Sequence, residues 1–224
     1  MKSIVVEKPF ISIIVPAYNA SDTIADCLSA LLTLEYPEDR REIIVVDNNS
    51  FDNTADIVKQ FPVIYVIESD VQSSYAARNK GIQHAKGEIL AFTDSDCIPD
   101  TAWLTKGVES FDGDLVGAVA GKIIGAKPVT LVEEFLQVSD YLGEEVCMQH
   151  PFLPYIQTAN AFYRRSVFDE IGNFNQNLIS GGDADLTWRM QLQTVFSLTH
   201  NKNAVVVHKH RTTVRKFYKQ MYTH

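Results

Sequence analysis

Four short apolar runs punctuate the first hundred residues: Ile11 to Val15, Ile43 to Val46, Val63 to Ile67, and Ile89 to Phe92. Each is rich in β-branched residues and nearly uninterrupted, the pattern of strands buried on both faces of a parallel sheet. Between them the apolar positions recur at helical spacing. Ile24, Cys27, Leu28, Leu31 and Leu32 share one face, and Ala76, Ala77, Ile82 and Ala85 share another before Gly87 ends the helix. Strand alternating with helix predicts an α/β sheet with right-handed crossovers.

Beyond Asp100 the pattern predicts a helix through Phe111, a strand from Val116 to Ala120, and a long helix from Thr130 to about Cys147. Met148 to Gln157, with Pro151 and Pro154, reads as a loop. Ala159 to Tyr163 reads as a strand, and Ser166 to Ile171 as a short helix closed by Gly172. Asn173 to Gly182, rich in Asn and Gly, predicts a mobile loop. A helix from Asp183 to Leu192, with two acids in its first turn, a strand from Ala204 to Val207 and a helix from Thr212 to Tyr222 complete the pattern.

Composition narrows the class. An apolar content of 46% and a charged content of 21% over 224 residues suit one substantial globular domain. No apolar run approaches the ~20 residues that span a bilayer, and Met1 to Pro9 interleaves Lys2, Glu7 and Lys8, so neither signal peptide nor membrane anchor is expected. Cys27, Cys97 and Cys147 are odd in number and widely spaced, which fits neither a disulfide framework nor a zinc cluster and predicts a cytoplasmic protein.

A net charge of -8 argues against nucleic acid as a partner. Its distribution is uneven. From His208 onward come Lys209, Arg211, Arg215, Lys216 and Lys219 without an acid, which leaves the first 207 residues with 15 basic against 28 acidic groups. The basic tail reads either as a solvated helix end or as a contact for phosphates or an anionic membrane surface. Because the sequence stops inside that predicted helix, a truncated form of a longer chain is expected.

The predicted strands run into polar clusters: Pro16-Ala17-Tyr18-Asn19 after the first, Asp47-Asn48-Asn49-Ser50 after the second, and Asp94-Ser95-Asp96 after the fourth. Ligands of open α/β sheets bind outside the carboxyl ends of the strands, so the clusters are expected to converge on one crevice. Asp94 and Asp96, one residue apart on an extended segment, would point the same way. Carboxylates so paired repel unless a cation joins them, and hard oxygen ligands suit Mg2+ or Mn2+; the alternative is a helix N-cap ahead of Trp103.

The other polar residues also carry two readings. Asp47 is either a turn residue or an acceptor for a base or ribose, with Asp52 as cap of the next helix. Tyr18 packs on the sheet or stacks on a base. Arg78 is solvated, or pairs with an Asp or a phosphate. Asp183 serves the helix dipole, or is a general base delivered by the Gly181-Gly182 loop. His208 is a surface residue, or a third metal ligand or phosphate contact.

Taken in order, these motifs resemble glycosyltransferase family 2. The likeness runs from Ile13-Ile14-Val15-Pro16-Ala17-Tyr18-Asn19 through Ile43 to Ser50 with Asp52 and Thr54, then Ala77-Arg78-Asn79-Lys80-Gly81-Ile82 and Lys86 to Asp96. It continues through Thr158-Ala159-Asn160-Ala161, Phe168 to Phe174 and Gly182-Asp183 to Arg189, covering about residues 10 to 211.

The resemblance implies the GT-A fold, a mostly parallel central sheet flanked by helices. A nucleotide-binding half over about 10-100 would be fused to an acceptor-binding half over about 101-211, with a basic helical tail over 212-224. It implies inverting, metal-dependent transfer of one sugar from a nucleoside diphosphate sugar, expected to be a UDP-sugar, to a saccharide or lipid-linked acceptor. Pro16, Tyr18 and Asp47 would line the nucleoside pocket with Asn19 beside them, and Arg78, as a partner for an Asp or a phosphate, would count among the donor-binding residues. Asp96 would be the principal ligand of Mn2+ or Mg2+, Asp94 a contact to the ribose or the metal's water shell, His208 an aid to metal or diphosphate, and Asp183 the base.

Two departures qualify it. Gly182-Asp183 stands where members commonly have Glu-Asp, which weakens any inference about the acceptor. The Gln-x-x-Arg-Trp signature of processive synthases is absent, so single-sugar transfer is expected. The alternative is a catalytically inactive nucleotide-sugar-binding or scaffold module. A sugar-phosphate nucleotidyltransferase is disfavoured, since Pro16 to Ala20 contains no glycine for a phosphate loop.

Overall fold

Eight strands join in one sheet: β1 (Ile11–Ala17), β2 (Arg41–Asp47), β3 (Ile64–Ile67), β4 (Ile89–Thr93), β5 (Cys97–Pro99), β6 (Val116–Gly125), β7 (Asn160–Arg164) and β8 (Ser197–His208). The computed structural model describes residues 8–139, 143–210, 213, 214 and 218. The strand order is β3-β2-β1-β4-β7-β6-β8-β5. β3, β2, β1 and β4 run parallel, β7 is antiparallel to both β4 and β6, β6 and β8 are parallel, and β5 is antiparallel to β8.

Every residue of β1 is buried, because both faces of the sheet are covered there. Ile13 and Val15 pack with Ile24, Cys27, Leu28 and Leu31 of α1 (Ile24–Leu32). Ile14 faces the other way, toward Tyr75 and Ile82 of a second helix (Ser74–His84). That helix lies so close on β1 that a Cβ at Gly81 would stand 2.5 Å from Ile14 Cγ2. Each aliphatic side chain fully buried this way contributes roughly 1.5–3 kcal/mol of transfer free energy.

The remaining helices are α2 (Thr54–Val58), α3, the Ser74–His84 helix just described, α4 (Trp103–Glu109), α5 (Leu131–Val138), α6 (Glu144–Met148), α7 (Arg165–Ile171) and α8 (Gly182–Gln193). None of the described helices is long and apolar enough to cross a membrane.

The structure differs from the hydrophobic pattern in four places. β3 is an edge strand with exposed Ile64 and Ile67, not a strand buried on both faces, because only β2 flanks it. The long helix expected from Thr130 to Cys147 is two helices. Thr130 caps α5 through a reciprocal box with Glu133, and Gly143 adopts an extended backbone just before α6. Glycine inside a helix costs about 1 kcal/mol relative to alanine, which favours a break there. β8 begins at Ser197 rather than Ala204, its first half disguised by Thr199, His200, Asn201, Lys202 and Asn203. β5 carries too few residues to show a period. The helix expected over 212–222, the N-terminal residues 1–7 and the tail cations Arg211, Arg215, Lys216 and Lys219 lie outside the described residues.

Candidate active site

The ends of β1 and β2 lie side by side, with Ala17 opposite Asp47. The loops that follow are tied together. Asn48 N–H donates to the Ala17 carbonyl at 2.8 Å, Asn19 N–H to Ser50 Oγ at 2.9 Å, and Phe51 N–H to Asn19 Oδ1 at 3.0 Å. Asn19 (φ 49°) and Asn49 (φ 64°) occupy the left-handed region, which Asn tolerates better than most residues. Asn19 thus spends its N–H and side-chain oxygen on the neighbouring loop.

Pro16 is buried within β1 opposite Val46. Tyr18 stands beside it with half its surface exposed and its ring edge-on to Phe51 at 6.2 Å. Asp47 is buried at the strand end. Its Oδ1 accepts from Ser50 N–H at 2.9 Å, as turn chemistry requires, and its Oδ2 accepts from the Tyr65 hydroxyl at 2.7 Å. Burial and the Asp47 carboxylate push the Tyr65 phenol well above its ordinary pKa, so it remains a donor. Asp52 accepts from Thr54 N–H at the head of α2 and from Ser21 N–H, which fixes the loop after β1 as well.

The segment Asp94-Ser95-Asp96 is a turn, not the extended run expected from sequence: Cys97 N–H closes it on the Asp94 carbonyl at 3.0 Å. The two carboxylates consequently meet different partners. Arg78 projects from α3 and is only 5% exposed, and its Nη2 donates to Asp94 Oδ1 at 2.7 Å. Arg78 Nε is buried without a hydrogen-bond partner. Asp96 Oδ1 lies 3.4 Å from His208 Nε2, and both side chains are buried. The register explains that meeting, because the antiparallel pair of β5 and β8 sets Cys97 opposite His208.

Among the described residues, Asp96, Cys97 and His208 form a group whose ligand atoms lie within 4.8 Å of one another. His208 Nδ1 is buried with no hydrogen-bond partner. An imidazole with one nitrogen beside a carboxylate and the other unsatisfied suits a divalent cation's donor set. Burial, with Asp96 and Asp94 nearby, pushes the Cys97 thiol well above its ordinary pKa, so the nitrogen and oxygen donors are the better ligands. Asp94 stands outside this group, engaged with Arg78.

Asp183 opens α8 behind Gly181, whose φ of 77° demands glycine or a strained residue. Its Oδ2 accepts from Thr158 N–H at 3.0 Å, and the Thr158 hydroxyl lies 3.1 Å from both carboxylate oxygens. Burial raises the Asp183 pKa; the Arg78 charge and the Thr158 hydrogen bonds oppose the rise, and the Asp94 charge adds to it. Asp183, Arg78 and Asp94 are therefore electrostatic neighbours. Gly182 N–H donates to the Tyr75 hydroxyl at 2.9 Å, and a Cβ at Gly182 would stand 2.6 Å from the Tyr75 ring. A glutamate at that position collides with Tyr75, a steric reason for the departure from the Glu-Asp pattern.

Three residues acquire roles that sequence reasoning did not assign. Thr158 holds the carboxylate of Asp183, and Tyr75 seats the glycine before it. Asn160 joins four elements: its Oδ1 accepts from Trp103 Nε1 at 2.8 Å and its Nδ2 donates to the Lys122 and Ala204 carbonyls at 2.8 Å. Gly121 makes room for it, since a Cβ there would lie 2.3 Å from Asn160 Oδ1.

Residues 12–172 match the model of the family described as Glycosyl transferase family 2. The glycosyltransferase AglE of Haloferax volcanii is 37% identical over 210 residues, covering 91% of this chain and 68% of the relative. Among solved structures, the mannosyltransferase PcManGT from Pyrobaculum calidifontis, in complex with GDP-Man and Mn2+, superposes with a TM-score of 0.75 at 22% identity. That match covers 97% of this chain and 61% of the other. TarS 1-349 of S. aureus, in complex with UDP-GlcNAc, gives a TM-score of 0.68 at 21% identity, covering 91% of this chain and 59% of the other. At such identities the two structures speak to fold alone. The chain spans 68%, 61% and 59% of the length of these three proteins.

Proposed function

The chain belongs to glycosyltransferase family 2 and has the GT-A fold, and from that premise we propose that it transfers one sugar, with inversion, from a nucleoside diphosphate sugar to a saccharide or lipid-linked hydroxyl. The observation that carries this reading is the shared neighbourhood of Asp183, held by Thr158, and the Arg78–Asp94 pair, whose charges both act on it.

In this reading Asp183 takes the proton of the acceptor hydroxyl as that oxygen bonds to the anomeric carbon. The bond from that carbon to the diphosphate oxygen breaks, and its electron pair leaves with the diphosphate. The raised pKa brings Asp183 closer to working pH, as a general base requires. Asp94, fixed by Arg78, meets the ribose. Tyr18 stacks on the base, and Pro16, Asp47 and the Asn19 loop wall the nucleoside pocket. A divalent cation, Mn2+ or Mg2+, held by Asp96 and His208 supplies positive charge against the diphosphate when bound.

A UDP-sugar is the proposed donor, although the solved neighbours hold GDP-Man in one case and UDP-GlcNAc in another. A peripheral contact between the basic segment from Lys209 onward and the inner face of an anionic membrane would suit a lipid-linked acceptor. The alternative, a catalytically inactive nucleotide-sugar-binding module, would bind donor without turning it over.

Calorimetric titration of UDP-sugars with and without Mn2+, together with a donor-hydrolysis assay, tests the reading. Nucleotide binding indifferent to metal would sink the cation's role, and undiminished turnover in Asp183→Asn would sink the base.

A further inference from the structure

The segment from Pro151 to Thr158 has no regular secondary structure, yet it is laced along α8. Trp188 Nε1 donates to the Leu153 carbonyl at 2.9 Å and Gln191 Nε2 to the Pro154 carbonyl at 2.8 Å. Ile156 N–H reaches Thr187 Oγ at 3.4 Å, and Thr158 closes the row on Asp183. Pro151 and Pro154 restrict the backbone further. The loop is held to the same helix that carries the proposed base.

Its side chains gather around one indole. Phe152 meets Trp188 edge-on at 5.2 Å, Tyr155 meets it at 6.0 Å, and His150 lies tilted against it at 5.2 Å. An ordinary apolar cluster draws its rings under cover. Here Phe152 remains 60% exposed at the rim. Trp188 lies five residues beyond Asp183 on α8, about 7.5 Å along the axis and about 140° around it. The loop that carries Phe152 and Tyr155 and ends on Thr158 is what links the rings to the carboxylate.

We propose that Phe152, Tyr155 and Trp188 form an aromatic platform that stacks a pyranose ring of the acceptor and presents its hydroxyl to Asp183. The inference rests on the transferase reading above. A pyranose has one face of C–H bonds, and its weakly positive hydrogens match the negative face of an aromatic ring. The rings are few-rotamer side chains on a fastened loop, so little conformational entropy is lost when sugar binds. Aromatic faces favour a ring lined with C–H hydrogens over an acyl chain, which wants an unbroken aliphatic groove. Burial pushes the pKa of the Tyr155 hydroxyl up to about 12, and its hydrogen bond to Cys147 adds to the rise, so the phenol keeps its proton.

Saturation-transfer NMR with methyl β-glucopyranoside, methyl α-mannopyranoside and methyl N-acetyl-β-glucosaminide tests it. Wild-type protein is expected to saturate the ring C–H protons of at least one of these sugars. Phe152→Ala and Phe152→Leu are expected to weaken that signal about fivefold, and the exposure of Phe152 leaves the fold intact in both. An undiminished signal in either variant, or no saturation of any of the three sugars by wild type, overturns the platform. The melting shift produced by UDP with Mn2+ is measured on all three proteins. Its retention in the variants is expected, and its absence from wild type strikes at the transferase reading instead.

Discussion

The Arg78 guanidinium and the Asp94 carboxylate meet at 2.7 Å, the arginine almost wholly buried and the aspartate a third exposed. This pair joins α3 to the turn after β4 and sets the charge that Asp183 experiences.

Removing the guanidinium leaves Asp94 without its cation in a partly dry site. Arg78→Met is expected to lower unfolding free energy by about 1–3 kcal/mol, below the range for fully buried pairs because Asp94 still touches water. Urea denaturation measures that loss. Donor affinity should fall in the same variant, whereas Arg78→Lys, which keeps charge but not the planar fork, should fall between. Unchanged donor affinity in Arg78→Met would show that Asp94 needs no such support.

The raised pKa of Asp183 fixes the direction of the pH response. A base works only when deprotonated, so activity is expected to fall with falling pH along a limb displaced above the ordinary aspartate range. Asp183→Asn should cost roughly 10²–10⁴ in turnover. Stability runs the opposite way. A carboxyl whose folded pKa exceeds its unfolded value loses stabilising protonation as pH rises from the unfolded value through the folded one. Denaturation curves of Asp183→Asn should therefore lack that decline, and a variant less stable than wild type only above that window contradicts the assignment.

Thr158→Val keeps the shape and the backbone N–H but deletes the hydroxyl that reaches both Asp183 oxygens. Hydrogen bonds to the ionised form lower a pKa, so their loss should shift the acid limb to still higher pH. Turnover is expected to drop about tenfold, a loss of some 1.4 kcal/mol, with the donor KM little changed. A coincident pH profile for the two proteins would assign Thr158 to folding alone.

Gly182→Ala pushes a methyl group into the Tyr75 ring and is expected to destabilise by about 1–3 kcal/mol. In a Tyr75→Ala background the same change should cost far less, because the obstructing ring is gone. A thermodynamic cycle over the four proteins measures the coupling, and strictly additive effects would reject the collision.

Much of this frame is legible along the chain, for reasons that differ by element. β1, β2 and β4 show as apolar runs because helices cover both sheet faces around them. β3 shows equally well, yet its exposure does not, since edge position is a property of the whole sheet. The first half of β8 is hidden by polar residues whose partners lie elsewhere: Asn201 binds the Lys106 carbonyl and Lys202 pairs with Glu145. At the site, Asp47, Asp94, Asp96 and Asp183 stand out by residue type and position. Their supports do not. Thr158 and Tyr75 meet Asp183 and Gly182 only after distant segments pack, and no local spacing encodes such a meeting.

The pairing of Cys97 with His208 across β5 and β8 also imposes a timetable. Asp96 leaves the ribosome ~110 residues before His208, an interval of roughly 5–20 s at ordinary synthesis rates. During that interval the first part of the sheet can collapse around β1, β2 and β4, yet the carboxylate has no imidazole beside it. The Asp96–His208 pair therefore forms only once β8 has been made, later than the parallel strands beside it.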